Sequence, residues 1–331
     1  MSFWKSLKKP ILVLAPMADV TDPAYRRLIS EYKNPDVMWT EFVSADGLYH
    51  TREMKKMLDA ENPLVRDLLY TPGEHPIVAQ LFGSNPETMR YAAKLAATLG
   101  FDGVDLNMGC PDRSIEKQGS GASMIKTPEK VTDIMQAVRD GVRDAGRPEM
   151  SVSIKTRIGY NKEEIDTWIP AVLRAKPDVL TVHLRTRKEM SSVPAHWELL
   201  PRVVALRDAL SPDTLIFGNG DLNSLEDARA KVLESGADGA MLGRAIFGRP
   251  WLFTGCSEAD ISPHERLEAL LKLAHYFDEL RPRKSFHLLK KHFKVFVTGW
   301  PGAAELRSRL MEMSTLSELE ARLREAIELL G

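Results

Sequence analysis

The chain is poor in cysteine: Cys110 and Cys256 are the only two among 331 residues. Two cysteines cannot build a disulfide framework, and such sparse usage suits a reducing cytoplasm. Long apolar runs are missing too. Residues 11–15 form an apolar run that stops at Pro16. It is too short for a signal-peptide core or a membrane span and reads as a buried first strand. Net charge is nearly absent, with 45 basic and 46 acidic residues giving −1. A polyanionic partner could therefore be met only by a local patch. No GxGxxG follows the first strand, which counts against a doubly wound dinucleotide-binding sheet. No His/Cys/Asp cluster has ligand spacing, so no metal is expected. Repeats and low-complexity tracts are lacking as well. What remains is ordinary globular composition, 44% hydrophobic and 27% charged.

Within that composition, eight short apolar runs alternate with helix-like stretches. They are "ILVLAPM" (11–17), "VMWTEF" (37–42), "PIVAQLFG" (76–83), "GVDLNMG" (103–109), "SVSIKTRIG" (151–159), "DVLTVHLRT" (178–186), "TLIFGNGD" (214–221) and "GAMLGRA" (239–245). Asp22-Pro23, Asn85-Pro86 and Thr127-Pro128 each offer an N-cap side chain before a first-turn proline. Ser224 and Asp227 have capping-box spacing, and Gly100 and Gly236 suit helix C-caps. This alternation predicts an α/β fold, a (β/α)8 TIM barrel, typically ~250 residues. The segment 44–75 is longer than the other connections and has room for helices of its own. Beyond about residue 257 the strand pattern stops, and "HERLEALLKLAHYFDEL" and "ELEARLREAIELL" read as amphipathic helices. The expected division is a barrel over 1–255 and a smaller helical C-terminal domain over 256–331.

In such a barrel, chemistry collects at the C-terminal strand ends. Strand alternation sends Val152 and Ile154 to the outer helices and Lys155 inward. The same period turns Thr181 and His183 inward, and Asp105 with Asn107; Gln80 ends its strand in a similar position. One such residue alone could be a satisfied core polar group. Several on neighbouring strands point to a polar ligand. After the seventh and eighth runs, "GNGD" and "GRA" bring glycines and Arg244 to the place where barrels commonly hold phosphate. A phosphate at one rim with Lys, Gln and His beneath it fits FMN, whose reduced ring a lysine stabilises. A phosphosugar substrate with Lys155 as a Schiff-base amine is the alternative at this level.

The motifs "APMADVTD", "VAQLFG", "LNMGCP", "SIKTRIG", "VHLRTR", "GNGD" and "GRA" occur in the order found in the tRNA-dihydrouridine synthase family, which the chain resembles over roughly residues 10–250. The resemblance implies an FMN barrel with a helical tail, using NADPH to reduce selected tRNA uridines to 5,6-dihydrouridine. It implies that Pro16, Met17 and Ala18 line the flavin, and that Gln80 and Lys155 meet its pyrimidine side with His183 close by. Asn219, Gly220, Asp221, Gly243 and Arg244 would hold the ribityl phosphate. Asn107 would contact the target base, and Cys110 would be the proton donor. A cytoplasmic monomer without membrane or metal is expected. The family usually has glycine after the histidine; Leu184 stands there here, an expected change in the loop that meets RNA.

A thiol with its ordinary pKa is protonated at neutral pH, so Cys110 can act as an acid towards C5 of uracil. Its loop is expected to flex and close over a base taken out of its stack. Residues 281–300 hold six Lys/Arg, two His and no acid. On a helix, Arg283, Lys284, His287, Lys290, Lys291 and Lys294 share one side, opposite Phe286, Leu289, Phe293 and Phe296. Lys290, Lys291 and Lys294, with Arg185, Arg187 and Lys188 at the barrel mouth, are expected to track a phosphate backbone. The competing readings are an FMN oxidoreductase acting on a small free pyrimidine and a non-catalytic RNA-binding barrel.

Overall fold

The computed structural model describes residues 3–280 and 284–330. Eight parallel strands are present: β1 Ile11–Leu14, β2 Met38–Ser44, β3 Ile77–Phe82, β4 Gly103–Met108, β5 Ser151–Arg157, β6 Val179–His183, β7 Leu215–Asn219 and β8 Gly239–Leu242. Their order, β1-β8-β7-β6-β5-β4-β3-β2, is that of a barrel wound once around. The last seam, β1 to β2, closes through Leu14 N–H to Val37 O at 3.2 Å and Asp36 N–H to Leu12 O at 2.9 Å. All eight expected strands exist; seven end earlier than expected, whereas β2 continues past residue 42 to Ser44. The trimmed residues, 15–17, 184–186, 220–221 and 243–245, turn away in loops and bring the site residues to the mouth.

The interior divides into two levels. Lower down, Val13, Val37, Trp39, Val78, Val179, Phe217 and Met241 form an apolar plug. Trp4, from the N-terminal 3-10 turn, joins it and donates its indole N–H to Ser151 Oγ at 2.7 Å. Higher up the inward positions are polar: Gln80, Asp105, Asn107, Ser153, Lys155 and His183. The outward positions Val104, Leu106, Val152, Ile154, Leu180 and Val182 are buried against the helices, as strand alternation requires.

The caps follow the sequence in part. Asp22 accepts from Tyr25 N–H at the start of Pro23–Tyr32, and Asn85 from Glu87 N–H at Pro86–Thr98. Ser224 accepts from Asp227 N–H, and Gly236 closes that helix with φ +70°. Thr127 makes no cap bond; a 3-10 turn, Pro128–Lys130, intervenes before Val131–Asp144 begins. The segment 44–75 holds the short helices Ala45–Tyr49 and Pro63–Arg66 and a π-helical turn between them.

Among the described residues, four helices follow the barrel: Pro263–Asp278, Phe286–Phe296, Ala303–Glu312 and Leu316–Leu330. Ala303–Glu312 was not anticipated. Their buried faces, including Leu267, Leu270, Leu289, Phe293, Phe296, Leu319 and Leu323, belong to the same apolar cluster as the barrel's outer layer. Arg281, Pro282 and Arg283 of the basic run lie outside the described residues. No helix among those described is long and apolar enough to cross a membrane.

Candidate active site

A cavity of about 760 Å³ opens at the C-terminal ends of the strands. Its floor is a relay of side chains whose polarity is set from below. Asp105 is fully buried and accepts from Ser153 Oγ at 2.5 Å and from Gln80 Nε2 at 2.6 Å. A carboxylate only accepts, so it fixes which way the Gln80 amide points. Gln80 Oε1 then accepts from Asn107 Nδ2 at 3.0 Å. That leaves Asn107 Oδ1 to receive the backbone N–H groups of Gly109 and Cys110, at 3.1 and 2.9 Å. Burial pushes the Asp105 carboxyl up to about 6, against the pull of these hydrogen bonds and of Lys155.

Cys110 stands over this floor, half-buried. Its loop does not have the freedom expected of it. The Asn107 cap, Ala122 N–H to Cys110 O at 2.9 Å, and Arg157 Nε to Gly109 O at 2.8 Å tie it down. Burial raises the thiol above its ordinary pKa, so at neutral pH the sulfur carries its proton. Cys256 is exposed and does not line the cavity.

Lys155 and His183 enter from β5 and β6. Burial, and then Arg157, lower the Lys155 ammonium to about 8. Among the described residues the ammonium has no hydrogen-bond or ion-pair partner, although it lines the cavity. His183 is held well below 6.5, first by burial and then by Arg157, Lys155 and Arg185. It is therefore a neutral imidazole, and Arg185 meets its Nε2 at 3.3 Å. Arg157 was not singled out from the sequence. The period that aims Lys155 inward also aims the residue two positions on, so the signal was there. Its guanidinium bonds Thr186 O and Met190 O as well as Gly109 O, joining the loops after β4 and β6.

The opposite rim is built from backbone. Gly220 has φ +127°, a region that side chains rarely adopt, and a Cβ there would come 2.8 Å from Ala195. Asn219 Nδ2 donates to Met241 O at 2.7 Å, joining β7 to β8. Asp221 pairs with both Arg185 and Arg244 and accepts from Ala195 N–H at 2.8 Å. These partners, Arg185 first, hold its carboxyl below the usual range. Arg244 is exposed on the cavity rim, next to Gly243.

The cavity thus gathers Pro16, Met17, Gln80, Asn107, Cys110, Lys155, His183, Asn219, Gly220, Asp221, Gly243, Arg244 and Arg185. Ala18 is exposed and outside the lining, because the chain turns back at Met17, whose carbonyl accepts from Val20 and Thr21 N–H. Phe42, Phe247, Arg249, Asn223 and Met190 line it without having been foreseen.

Several expected RNA contacts have internal partners. Arg185 is 2% exposed and committed to Asp221 and Val193 O. Arg187 is paired with Glu116 beside the Tyr160 ring. Leu184 is fully buried, so its side chain packs in the apolar core. On Phe286–Phe296 the apolar face is buried as expected. Lys290 donates to Met311 O at 2.7 Å. Lys291 is half-buried, and burial lowers its pKa. Lys294 and His287 are exposed, whereas Lys284 is buried. No group of three His, Cys, Asp or Glu among the described residues could hold a metal ion.

A protein named "Probable tRNA-dihydrouridine synthase" from Staphylococcus aureus is 38% identical, over 98% of this chain and 95% of its own length. "Probable tRNA-dihydrouridine synthase 2" from Bacillus subtilis is also 38% identical, over 97% of this chain and 95% of its own. Among solved structures, an amine oxidase for 6-hydroxypseudooxynicotine from Pseudomonas geniculata has a TM-score of 0.50 at 14% identity, covering 74% of this chain and 46% of that one. That likeness is one of fold. The model of the family described as dihydrouridine synthase (Dus) matches residues 13–330, nearly the whole chain, and the chain belongs to that family.

Proposed function

We propose that this protein reduces uridines of tRNA to 5,6-dihydrouridine, using FMN and NADPH. The observation that carries this reading is the meeting, in one cavity, of a Lys155 ammonium without a hydrogen-bond or ion-pair partner among the described residues and a protonated thiol at Cys110. Family membership and the names of the relatives support the substrate.

The residues present fit FMN. The Gly220 and Gly243 backbone with Arg244 offers a phosphate a close approach and a positive charge. Pro16 and Met17 offer an apolar wall, and Gln80, Lys155 and neutral His183 offer polar groups for a flat heterocycle. When bound, FMN would supply hydride, drawn from NADPH, to C6 of the uracil. Lys155 would stabilise negative charge that develops at the cavity floor. Cys110 would give its proton to C5, and the ties on its loop hold the sulfur in place for that transfer. Asn107, which fixes the Cys110 peptide, would also face the base, and Arg157 would hold the loops after β4 and β6 together beside it.

The exposed side of Phe286–Phe296, with Lys294 at its centre and Lys290 and Lys291 flanking it, would meet the RNA backbone. Arg185 and Arg187 would serve the site from within, one through Asp221 and the other through Glu116. The barrel over 1–255 would hold the cofactor and the helices over 256–331 the RNA. The protein would act as a monomer in the cytoplasm.

Purified protein should be yellow, release FMN on denaturation, and with NADPH convert unmodified tRNA to dihydrouridine-containing tRNA. Reduction of free uracil with tRNA left untouched would replace this reading by the small-pyrimidine one.

A further inference from the structure

The lead-in to the helix Phe286–Phe296 carries a lysine that turns away from solvent. The Lys284 side chain is 5% exposed, and its ammonium lies 2.7 Å from Glu41, 3.4 Å from Asp19 and 3.7 Å from Asp22. Asp22 is fully buried and Glu41 nearly so. Carboxylates gathered in an interior need a cation among them. Arg26 and Lys291 are further cations that act on this cluster, and Asp67 is a further acid.

Glu41 precedes Phe42, which lines the cavity. One of its oxygens takes the Lys284 ammonium; the other accepts the backbone N–H of Asp19. Asp19 has φ +56°, an uncommon conformation for a residue with a side chain. That bond therefore holds the turn that presents Met17 to the cavity, which Met17 N–H to Thr21 Oγ1 at 2.9 Å also supports. A short chain of contacts runs from Lys284 through Glu41 to one wall.

The same helix braces the other wall. The His292 ring lies 5.2 Å from the ring of Phe247, which lines the cavity, and stacks on Tyr25 at 5.1 Å. The Tyr25 hydroxyl donates to Ile246 O at 2.5 Å and accepts from Gly248 N–H at 3.0 Å. Gly248 leaves room for Val295: a Cβ at 248 would come 2.6 Å from the Val295 Cβ. The helix and its lead-in thus touch the loops after both β1 and β8.

We propose that Lys284 and the helix Phe286–Phe296 form a clamp that sets the two walls of the cofactor cavity, so that docking of this helix and binding of FMN are energetically coupled. The proposal rests on the flavin reading above. Lys284 is a positioning residue in it, since it acts only through Glu41. Coupling is reciprocal: if the docked helix favours FMN, FMN favours the docked helix by the same free energy.

The first test uses the unaltered full chain. Hydrogen exchange of residues 284–297 should slow by about threefold or more on adding FMN, the signature of a coupled local opening. Unchanged exchange overturns the clamp. The second test titrates FMN by fluorescence quenching. At about pH 8, Lys284→Met should raise Kd by about tenfold or more, because it leaves buried carboxylates without their cation. Lys284→Arg keeps the charge and should stay within about threefold of the parent. The surface control Lys94→Met should match the parent. The Lys284→Met deficit should shrink towards about pH 6, because burial pushes the Asp22 carboxyl up to about 6 and its protonation relieves the surplus charge. Parental affinity in Lys284→Met overturns the proposal. Should that variant not fold, Glu41→Gln/Lys284→Met removes one charge of each sign; weakened FMN binding there supports the clamp and parental binding overturns it. A parent chain that binds no FMN would instead remove the flavin reading itself, and the clamp with it.

Discussion

The barrel mouth and the helix Phe286–Phe296 both gather cations, and they hold them in opposite ways. At the mouth, Lys155, Arg157 and Arg185 are enclosed, and burial lowers the first two to about 8 and about 10. On the helix, Lys294 stands in water. Enclosed cations act at fixed points on a ligand of defined shape, since they are already desolvated before it arrives. Exposed cations attract any polyanion from a distance and are screened by salt. On the function proposed above, two tasks, chemistry on one base and capture of a long backbone, would be divided between two kinds of positive charge.

The sharpest way to break that division is at the thiol. Cys110→Ala should fold, bind FMN and accept hydride from NADPH, yet uridine turnover should fall by roughly 10²–10⁴. Single-turnover oxidation of the reduced flavin by unmodified tRNA measures it, and a near-parental rate would return Cys110 to packing. Next in size, Arg244→Ala should lower FMN affinity by roughly tenfold to a hundredfold, the value of a charged hydrogen bond. Flavin retained through dialysis at parental levels would remove Arg244 from the phosphate site.

A smaller change is expected on the helix. Replacing Lys290, Lys291 and Lys294 by Glu should weaken tRNA binding by roughly tenfold and flatten its salt dependence. Lys294→Ala alone should account for more of the loss than Lys290→Ala, because Lys290 is held by Met311 O. Equal losses would mean that the two lysines meet the backbone alike.

The smallest effect is a pH dependence. Asp105 is raised to about 6 in the folded chain from 3.8, so the folded state holds its proton more tightly than the unfolded. Its stabilising share is complete below about pH 4 and is lost as pH rises past about 6. Asp105→Asn has no such titration. The melting temperature of the parent relative to this variant should therefore rise by roughly 2–4 °C on acidification through that window. A constant difference would place the carboxyl in an ordinary environment.

How much of this was legible depended on the length scale of each cause. Strand alternation is a rule about neighbouring residues, so Lys155, His183 and Asn107 could be aimed inward from the sequence, and Arg157 could have been aimed with them. Partners far apart in the chain leave no local trace. Lys284 reads as one more cation in a basic run, yet its carboxylate is 243 positions away. Arg187 reads as a cation at the mouth, yet Glu116 neutralises it from 71 positions away. Leu184 breaks a motif that its neighbours keep, and only its full burial shows which way it faces. Glycine motifs were legible as places where backbone comes close, without revealing what it comes close to.

Gly218 shows what that last gap hides, with a consequence for how the sequence can drift. A Cβ at 218 would come 2.4 Å from two ring atoms of Trp197. The Trp197 indole N–H in turn donates to Gly220 O at 2.8 Å, beside Asp221. A lineage cannot take alanine at 218 first, because the ring has nowhere to go. Nor can it shrink residue 197 first without releasing the Gly220 carbonyl at the cavity rim. Either order passes through a damaged intermediate, so the two positions can exchange only together. The first glycine of "GNGD" is kept by a tryptophan 21 positions upstream, and the history open to this rim is narrower than the chemistry open to it.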